Sequence, residues 1–232
     1  MHGNVAIDGP AGAGKSTVAR LLAQKLGYLY IDTGAMYRAL TWKALQLGID
    51  LSDEEKLVSL AVVTTIKLEN TAGGTIKVYC DGVDVTAAIR QEKVSNHVSI
   101  VARIPGVRRR LVELQRQMAA SNRVVMDGRD IGTNVLPEAP YKFFLTASLE
   151  ERARRRYQEL IVSGREVDLE TIKEEIRRRD ARDSQREVDP LQPAPDAEII
   201  DTTNMGVDEV VSKLVELIKA RTKDPLQSSC LR

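Results

Sequence analysis

Three observations predict an α/β fold in which a parallel sheet is flanked by helices. Short apolar runs, among them Val5-Ala6-Ile7, Val124-Val125-Met126 and the stretch Lys142–Thr146, alternate with segments of helical period. Strands apolar on both faces belong in a sheet covered on both sides. The first run feeds directly into a glycine-rich loop that opens a helix, the local order of a strand–loop–helix unit. With 232 residues, the chain is long enough to bury a substantial core in one domain carrying insertions.

The elements follow in order. A first helix spans about Ser16–Leu26 and stops at Gly27, and Leu29-Tyr30-Ile31 is a short buried strand. Asp32-Thr33-Gly34 reads as a turn into a helix from about Ala35 to Leu47. A third helix over Asp53–Val63 is opened by the cap pattern Ser52-Asp53-Glu54-Glu55. The texture then changes to strict alternation in 66–69, 75–79 and 83–85, punctuated by Gly73-Gly74 and Asp81-Gly82, the signal of a small antiparallel meander. Helices are expected at Gln91–Ala102 and Gly106–Ala120, then strands at 124–126 and 142–146. Helices from Leu149 to Val162 and from Leu169 to about Arg182 come next, with a last short strand at Glu198–Asp201 and a final helix over Val207–Ala220. Residues 1–222 are thus expected to form one domain with an insert at about 62–90 and a helical lid at about 150–182. The tail 223–232 is expected to be disordered.

Composition excludes several classes. Charged residues make up 29% and the formal net charge is +1, so no global field draws the chain to nucleic acid or membrane. Aromatics are only 4%, too few for a base-stacking platform. No apolar run approaches the roughly 20 residues of a membrane span, and the opening residues do not read as a signal peptide. Cys80 and Cys230 lie far apart without metal-ligand spacing, which fits a reducing cytoplasm. The absence of an exposed apolar stripe points to a monomer.

Chemistry concentrates in three places. Gly9-Pro10-Ala11-Gly12-Ala13-Gly14-Lys15-Ser16-Thr17 is a complete G-x-x-x-x-G-K-[ST] phosphate loop. Its glycines let successive N–H groups point at one spot, and the positive end of the following helix reinforces that anion nest. Lys15 reaches β- and γ-phosphates in such a loop, and Ser16 offers its hydroxyl to Mg²⁺. Together these imply a P-loop NTPase core that binds a nucleoside triphosphate.

The second place is Asp127-Gly128-Arg129-Asp130, closing an apolar strand. There Asp127 is a candidate to hold Mg²⁺ through its waters. Arg129 is suited to clamp a phosphate with its planar fork, and Arg38 is a second candidate for an acceptor clamp. The third is the segment Glu150–Asp189, with ten arginines, one lysine and twelve acids. That balance argues against a nucleic-acid arm and for a lid that excludes water during phosphoryl transfer. A guanine-reading Asn-Lys-x-Asp and an ABC-type Ser-Gly-Gly are both missing. Kinases for other acceptors, a nucleotide switch and a nucleic-acid-binding ATPase are the competing readings. A switch has no acceptor phosphate to clamp, and charge balance disfavours the ATPase.

Four blocks carry a more specific resemblance. Gly9–Thr17, Asp32-Thr33-Gly34-Ala35-Met36-Tyr37-Arg38, Asp127-Gly128-Arg129-Asp130-Ile131-Gly132-Thr133 and Arg179-Asp180-Ala181-Arg182-Asp183 together resemble the bacterial cytidylate kinases, over roughly residues 3–220. These are nucleoside monophosphate kinases that use ATP to phosphorylate CMP and dCMP. The resemblance implies that the insert at 62–90 serves acceptor binding. It also implies that Thr33, Arg38, Arg129 and Arg186 hold the CMP phosphate, that Ser99, Arg108 and Asp130 read the cytosine edge, and that Asp183 with Arg179 contacts the ribose. Lys15, Arg129, Arg186 and Asp127 would carry the catalysis. Within the run Arg108-Arg109-Arg110, which arginine points inward stays open by one position. In the lid-entry segment Glu150–Arg156, Arg152 and Arg156 share a helix face and are expected on the triphosphate. The segment Lys223–Arg232 matches nothing in the family pattern.

Overall fold

The computed structural model describes residues 3–71, 75–162, 164 and 166–223. Five strands form one parallel sheet: β1 (Val5–Asp8), β2 (Leu29–Asp32), β6 (Val124–Asp127), β7 (Tyr141–Thr146) and β8 (Glu198–Asp201), in the order β2-β6-β1-β7-β8. Side chains alternate across a strand, and both faces of this sheet are apolar. Ala6, Ile31, Val124 and Met126 look into one core with α2 (Thr33–Gln46), α3 (Glu54–Val63), α4 (Glu92–Val101) and α5 (Pro105–Ala120). Val5, Ile7, Tyr30, Val125, Phe143 and Leu145 look into the other, under α1 (Lys15–Leu26) and α8 (Val207–Lys223). That two-sided burial is why these strands read as solid apolar runs rather than alternating ones.

Local chemistry sets most boundaries. Gly27 ends α1 in left-handed geometry, its N–H directed at Ala23 and Gln24 carbonyls. Thr33-Gly34 is the first turn of α2 rather than a free turn, because the Asp32 carboxylate caps it by accepting from the Ala35 amide at 2.8 Å. Asp53 caps α3 in the same way, and Pro105 starts α5.

The alternating segments form a three-stranded antiparallel sheet of β3 (Ile66–Asn70), β4 (Ile76–Cys80) and β5 (Val83–Asp84). Asp81 and Gly82, with φ of 50° and 81°, make the two-residue turn between β4 and β5 that an Asp-Gly pair favours. The expected Gly73-Gly74 turn and the tail beyond 223 lie outside the described residues. The remaining helices, α6 (Leu149–Val162) and α7 (Leu169–Ser184), pack on each other around Ala153, Ile172 and Ile176.

Two elements have no counterpart in the sequence reading. A single 3₁₀ turn covers Ala88–Arg90, and a π turn covers Ile131–Val135. In the latter, the amides of Val135 and Leu136 bond back five residues, to Asp130 and Ile131. Such wide turns concentrate at functional sites, and this one begins at the strand end carrying Asp127–Asp130.

Candidate functional site

The carboxyl ends of β1, β2 and β6 converge, as ligand sites of open parallel sheets do. A cleft of about 850 Å³ lies there, lined by the phosphate loop, the start of α2, Arg90, α4, Arg108, the 127–130 turn and both helices α6 and α7.

On one wall stands the loop 9–17. Gly9 (φ 144°) crosses β7 so closely that a Cβ would lie 2.0 Å from the Leu145 carbonyl oxygen. Lys15 is buried and donates to the Pro10 carbonyl at 2.7 Å. Burial and the neighbouring Arg129 draw its pKa well down, so an anion arriving here relieves an unfavourable charge.

Asp127 is held at three points: Ser16 Oγ donates to Oδ2 at 2.9 Å, Tyr30 Oη donates to Oδ1 at 2.8 Å, and Thr33 Oγ1 donates to the backbone carbonyl at 2.7 Å. Burial, with Asp32 directly opposite in the strand register, raises the Asp127 pKa to about 6. Gly128 is required beside it, since a Cβ would press on Thr33 Oγ1 at 2.7 Å and on Ile131. The Tyr30 phenol is itself pushed well up by burial and by Asp127.

On the opposite wall, Asp130 pairs with Arg108 at 2.5 Å and with Arg186 at 3.1 Å. Arg108 also reaches Asp189 at 3.1 Å and lies 5.9 Å over the Tyr37 ring. With 2% of its side chain exposed, Arg108 is the inward member of the Arg108-Arg109-Arg110 run. Arg186 Nε donates to the Asp189 carbonyl. Burial lifts Tyr37 to about 12. Arg38 donates to Ser95 Oγ at 2.8 Å.

Helices α6 and α7 close the top. Arg129 pairs with Asp183 at 2.8 Å, and Arg182 donates to Ser99 Oγ at 2.7 Å. Arg152 bridges the Ala11 carbonyl and Asp180, at 3.1 and 2.6 Å. Burial first, then the crowding of like charges, pushes Arg38 down to about 9 and Arg179 to about 10. The Arg179 Nε is buried without a hydrogen-bond partner among the described residues. The cleft is therefore a reservoir of positive charge partly held by Asp180, Asp183 and Asp189.

The structure brings Lys15, Ser16, Thr33, Arg38, Ser99, Arg108, Asp127, Arg129, Asp130, Arg156, Arg179, Asp183 and Arg186 to one cleft. Arg152, by contrast, does not line it: it is buried, with its guanidinium bonded to the Ala11 carbonyl and to Asp180. Arg156 sits at its rim, paired with Glu159 at 3.0 Å. Arg155 is the neighbour that reaches inward, to the Thr202 carbonyl and hydroxyl, with its guanidinium 3.6 Å from where a Gly14 Cβ would sit. Strands β3–β5 contribute none of the lining; next to them in sequence, Arg90 and α4 line the cleft instead. Sequence reasoning also missed Asp8, Tyr30, Arg182 and Asp189. Asp8 accepts from the Ile131 and Gly132 amides at 2.8 and 2.7 Å, tying β1 to the π turn.

A phosphate loop feeding α1, facing a second arginine-lined wall across one cleft on a parallel sheet, defines a P-loop kinase. Residues 5–220 match the model of the cytidylate kinase family, and the chain belongs to that family. The cytidylate kinase of Pelotomaculum thermopropionicum is 57% identical over 221 residues, 95% of this chain and 98% of that protein. The cytidylate kinase of Bacillus subtilis (strain 168) is 54% identical over 220 residues, with 95% and 98% covered. Among solved structures, an uncharacterized protein from Eubacterium ventriosum superposes with a TM-score of 0.53 at 14% identity, covering 95% of this chain and all of that one. A gluconokinase from Sinorhizobium meliloti gives 0.50 at 16% identity, with 98% and 97% covered. These two likenesses concern the fold alone.

Proposed function

We propose that this protein transfers the γ-phosphoryl group of ATP to CMP or dCMP, giving CDP or dCDP and ADP. The observation that carries the reading is the buried Arg108–Asp130–Arg186 cluster in the same cleft as the Lys15 loop. One wall suits a triphosphate and the other a base with its phosphate. Cytosine presents an amino donor beside acceptors at N3 and O2. A carboxylate, an arginine and a serine, here Asp130, Arg108 and Ser99, complement that edge, whereas uracil turns a carbonyl toward the carboxylate.

An acceptor phosphate oxygen forms the new bond to the γ-phosphorus as the bond to the β–γ bridging oxygen breaks. Total charge is equal on both sides, so no general base is needed. The protein's part is alignment and charge neutralisation. Lys15 follows the β- and γ-phosphates, and Arg129, Arg38 and Arg186 grip the acceptor phosphate with Thr33. Arg179 and Asp183 take the ribose side, while Arg152 and Arg156 close on the donor. Helices α6 and α7, about 150–182, act as the lid, and the insert at about 62–90 buttresses the acceptor-side helices.

Ser16 and Asp127 fit Mg²⁺. They offer one hydroxyl and one carboxylate 2.9 Å apart, and no group of three or more His, Cys, Asp or Glu suited to a metal occurs among the described residues. An oxygen-only pair with room for waters and phosphates matches a cation that is seldom held by protein alone. When bound, Mg²⁺ supplies neutralisation of the phosphate charge.

The protein is further read as a cytoplasmic monomer that engages neither nucleic acid nor membrane, in line with its net charge of +1. No helix among the described residues is long and apolar enough to cross a membrane. The deciding experiment is a coupled assay of ADP release over a panel of nucleoside monophosphates. CMP and dCMP are expected to lead, and a preference for UMP, dTMP or AMP overturns the assignment.

A further inference from the structure

We propose that Tyr30 is a positioning residue for the Asp127 carboxylate. Its hydroxyl fixes Oδ1 so that Oδ2 faces Ser16 and the metal position. The proposal rests on the reading of Asp127 and Ser16 as Mg²⁺ ligands.

The argument begins with register. Tyr30 on β2 is opposite Val125 on β6, and Asp32 is opposite Asp127. Side chains two residues apart share a face, so Asp127 is the diagonal neighbour of Tyr30 on the face covered by α1. A tyrosine ring is long enough to span that diagonal, and the measured Oη–Oδ1 distance is 2.8 Å. Tyr30 is 5% exposed, and apart from its hydroxyl it packs within the apolar layer between the sheet and α1. Ring packing alone would be served equally by phenylalanine. The hydroxyl has a specific acceptor, and buried phenols need one.

Each carboxylate oxygen of Asp127 thus has one side-chain donor, and the two donors differ in kind. Ser16 belongs to the phosphate loop and is itself a candidate ligand, so its hydroxyl cannot both coordinate and hold Oδ2 in one fixed arrangement. Tyr30 has no such second duty and keeps the carboxylate plane fixed throughout. Outer partners of this sort set ligand orientation, and removing them typically weakens metal binding by about 10–100-fold. The tyrosine is anchored in turn: Asn70, the last residue of β3, donates its side-chain amide to the Tyr30 carbonyl at 3.1 Å. The small antiparallel sheet, which lines none of the cleft, is therefore tied through Asn70 to the strand that carries Tyr30.

The test compares wild type, Tyr30→Phe and Asp127→Asn. Mn²⁺ is titrated into each protein with ADP at a fixed concentration. Free Mn²⁺ is read by electron paramagnetic resonance, with the protein-free nucleotide titration subtracted. Tyr30→Phe is expected to bind Mn²⁺ about tenfold more weakly, to need correspondingly more Mg²⁺ for half-maximal turnover, and to keep its KM for CMP. A purely structural role would not produce that split. Unchanged Mn²⁺ affinity in Tyr30→Phe, with Asp127→Asn impaired, overturns the proposal and leaves the metal reading standing. Unchanged affinity in Asp127→Asn overturns both, because nothing is left to position.

Discussion

Arg129 donates to the Asp183 carboxylate at 2.8 Å, joining the end of β6 to helix α7 across the cleft. The pair also takes part in the local electrostatics: despite burial, Arg129 and Arg179 hold Asp183 below the usual carboxylate range. A cation from the end of β6 and an anion from α7 thus meet where two substrates are proposed to meet.

That contact should be measurable as a coupling. In a double-mutant cycle of Arg129→Ala and Asp183→Ala, followed by urea denaturation, the coupling is expected to be about 1–3 kcal/mol. Additive effects would show that the two side chains do not interact in solution.

Lys15→Met should lower kcat about a hundred- to a thousand-fold, the scale for removing one preorganised charge-stabilising donor. Its stability should move the other way. The Lys15 pKa is drawn below its unfolded value by burial and by Arg129, so at neutral pH the charged form opposes folding. Equal or higher urea midpoints with collapsed turnover are expected, and near-normal kcat contradicts the role.

Asp130 is best probed as Asp130→Asn. An alanine would strand Arg108 and Arg186, at a cost of several kcal/mol for an unpaired buried charge, and would confound selectivity with unfolding. The asparagine should reduce the ratio of CMP to UMP kcat/KM by about tenfold or more. An intact ratio would remove Asp130 from the base-reading set.

Asp8 should leave a signature in the pH dependence of stability. Its pKa is raised from 3.8 to about 6, chiefly by burial, against the two amide bonds that lower it. The unfolded carboxyl ionises first, so folding weakens as pH rises from about 3.8 to about 6, the reverse of a salt-bridged acid. Asp8→Asn should lack that part of the slope when denaturation is followed between pH 4 and 7. Parallel curves would deny the shift.

Much of the fold was legible because its signals are local. The strands 5–8, 124–127 and 141–146, the phosphate loop and the Gly27 stop each depend on neighbours in sequence. The start of α2 slipped by two residues because Asp32 was read as a turn member when it is the cap. The π turn was invisible, since its first two amides are satisfied by Asp8, more than 120 residues away.

The site divides along the same line. Lys15, Ser16, Arg38, Asp127 and Arg129 stand in blocks whose chemistry is readable alone. Tyr30 acquires its task only from the β2–β6 register, and Asp8 only from the turn it holds. On α6 the four-residue spacing singled out Arg152 and Arg156. Arg152 does reach the loop, at the Ala11 carbonyl, but the unselected Arg155 also lies against it beside Gly14, held by Thr202 just past the end of β8. The meander at 66–84 was placed correctly as strands, yet its strands do not line the cleft.

The strand order carries a consequence for synthesis. Among the described residues β1 pairs with β6 and β7, so during synthesis this strand waits for more than a hundred further residues before either edge is covered. Until then the glycine-rich loop hangs from an open apolar ribbon, a template for pairing with other nascent chains. Chains stalled or cleaved short of Val124 are therefore expected to aggregate rather than persist as nucleotide-binding fragments.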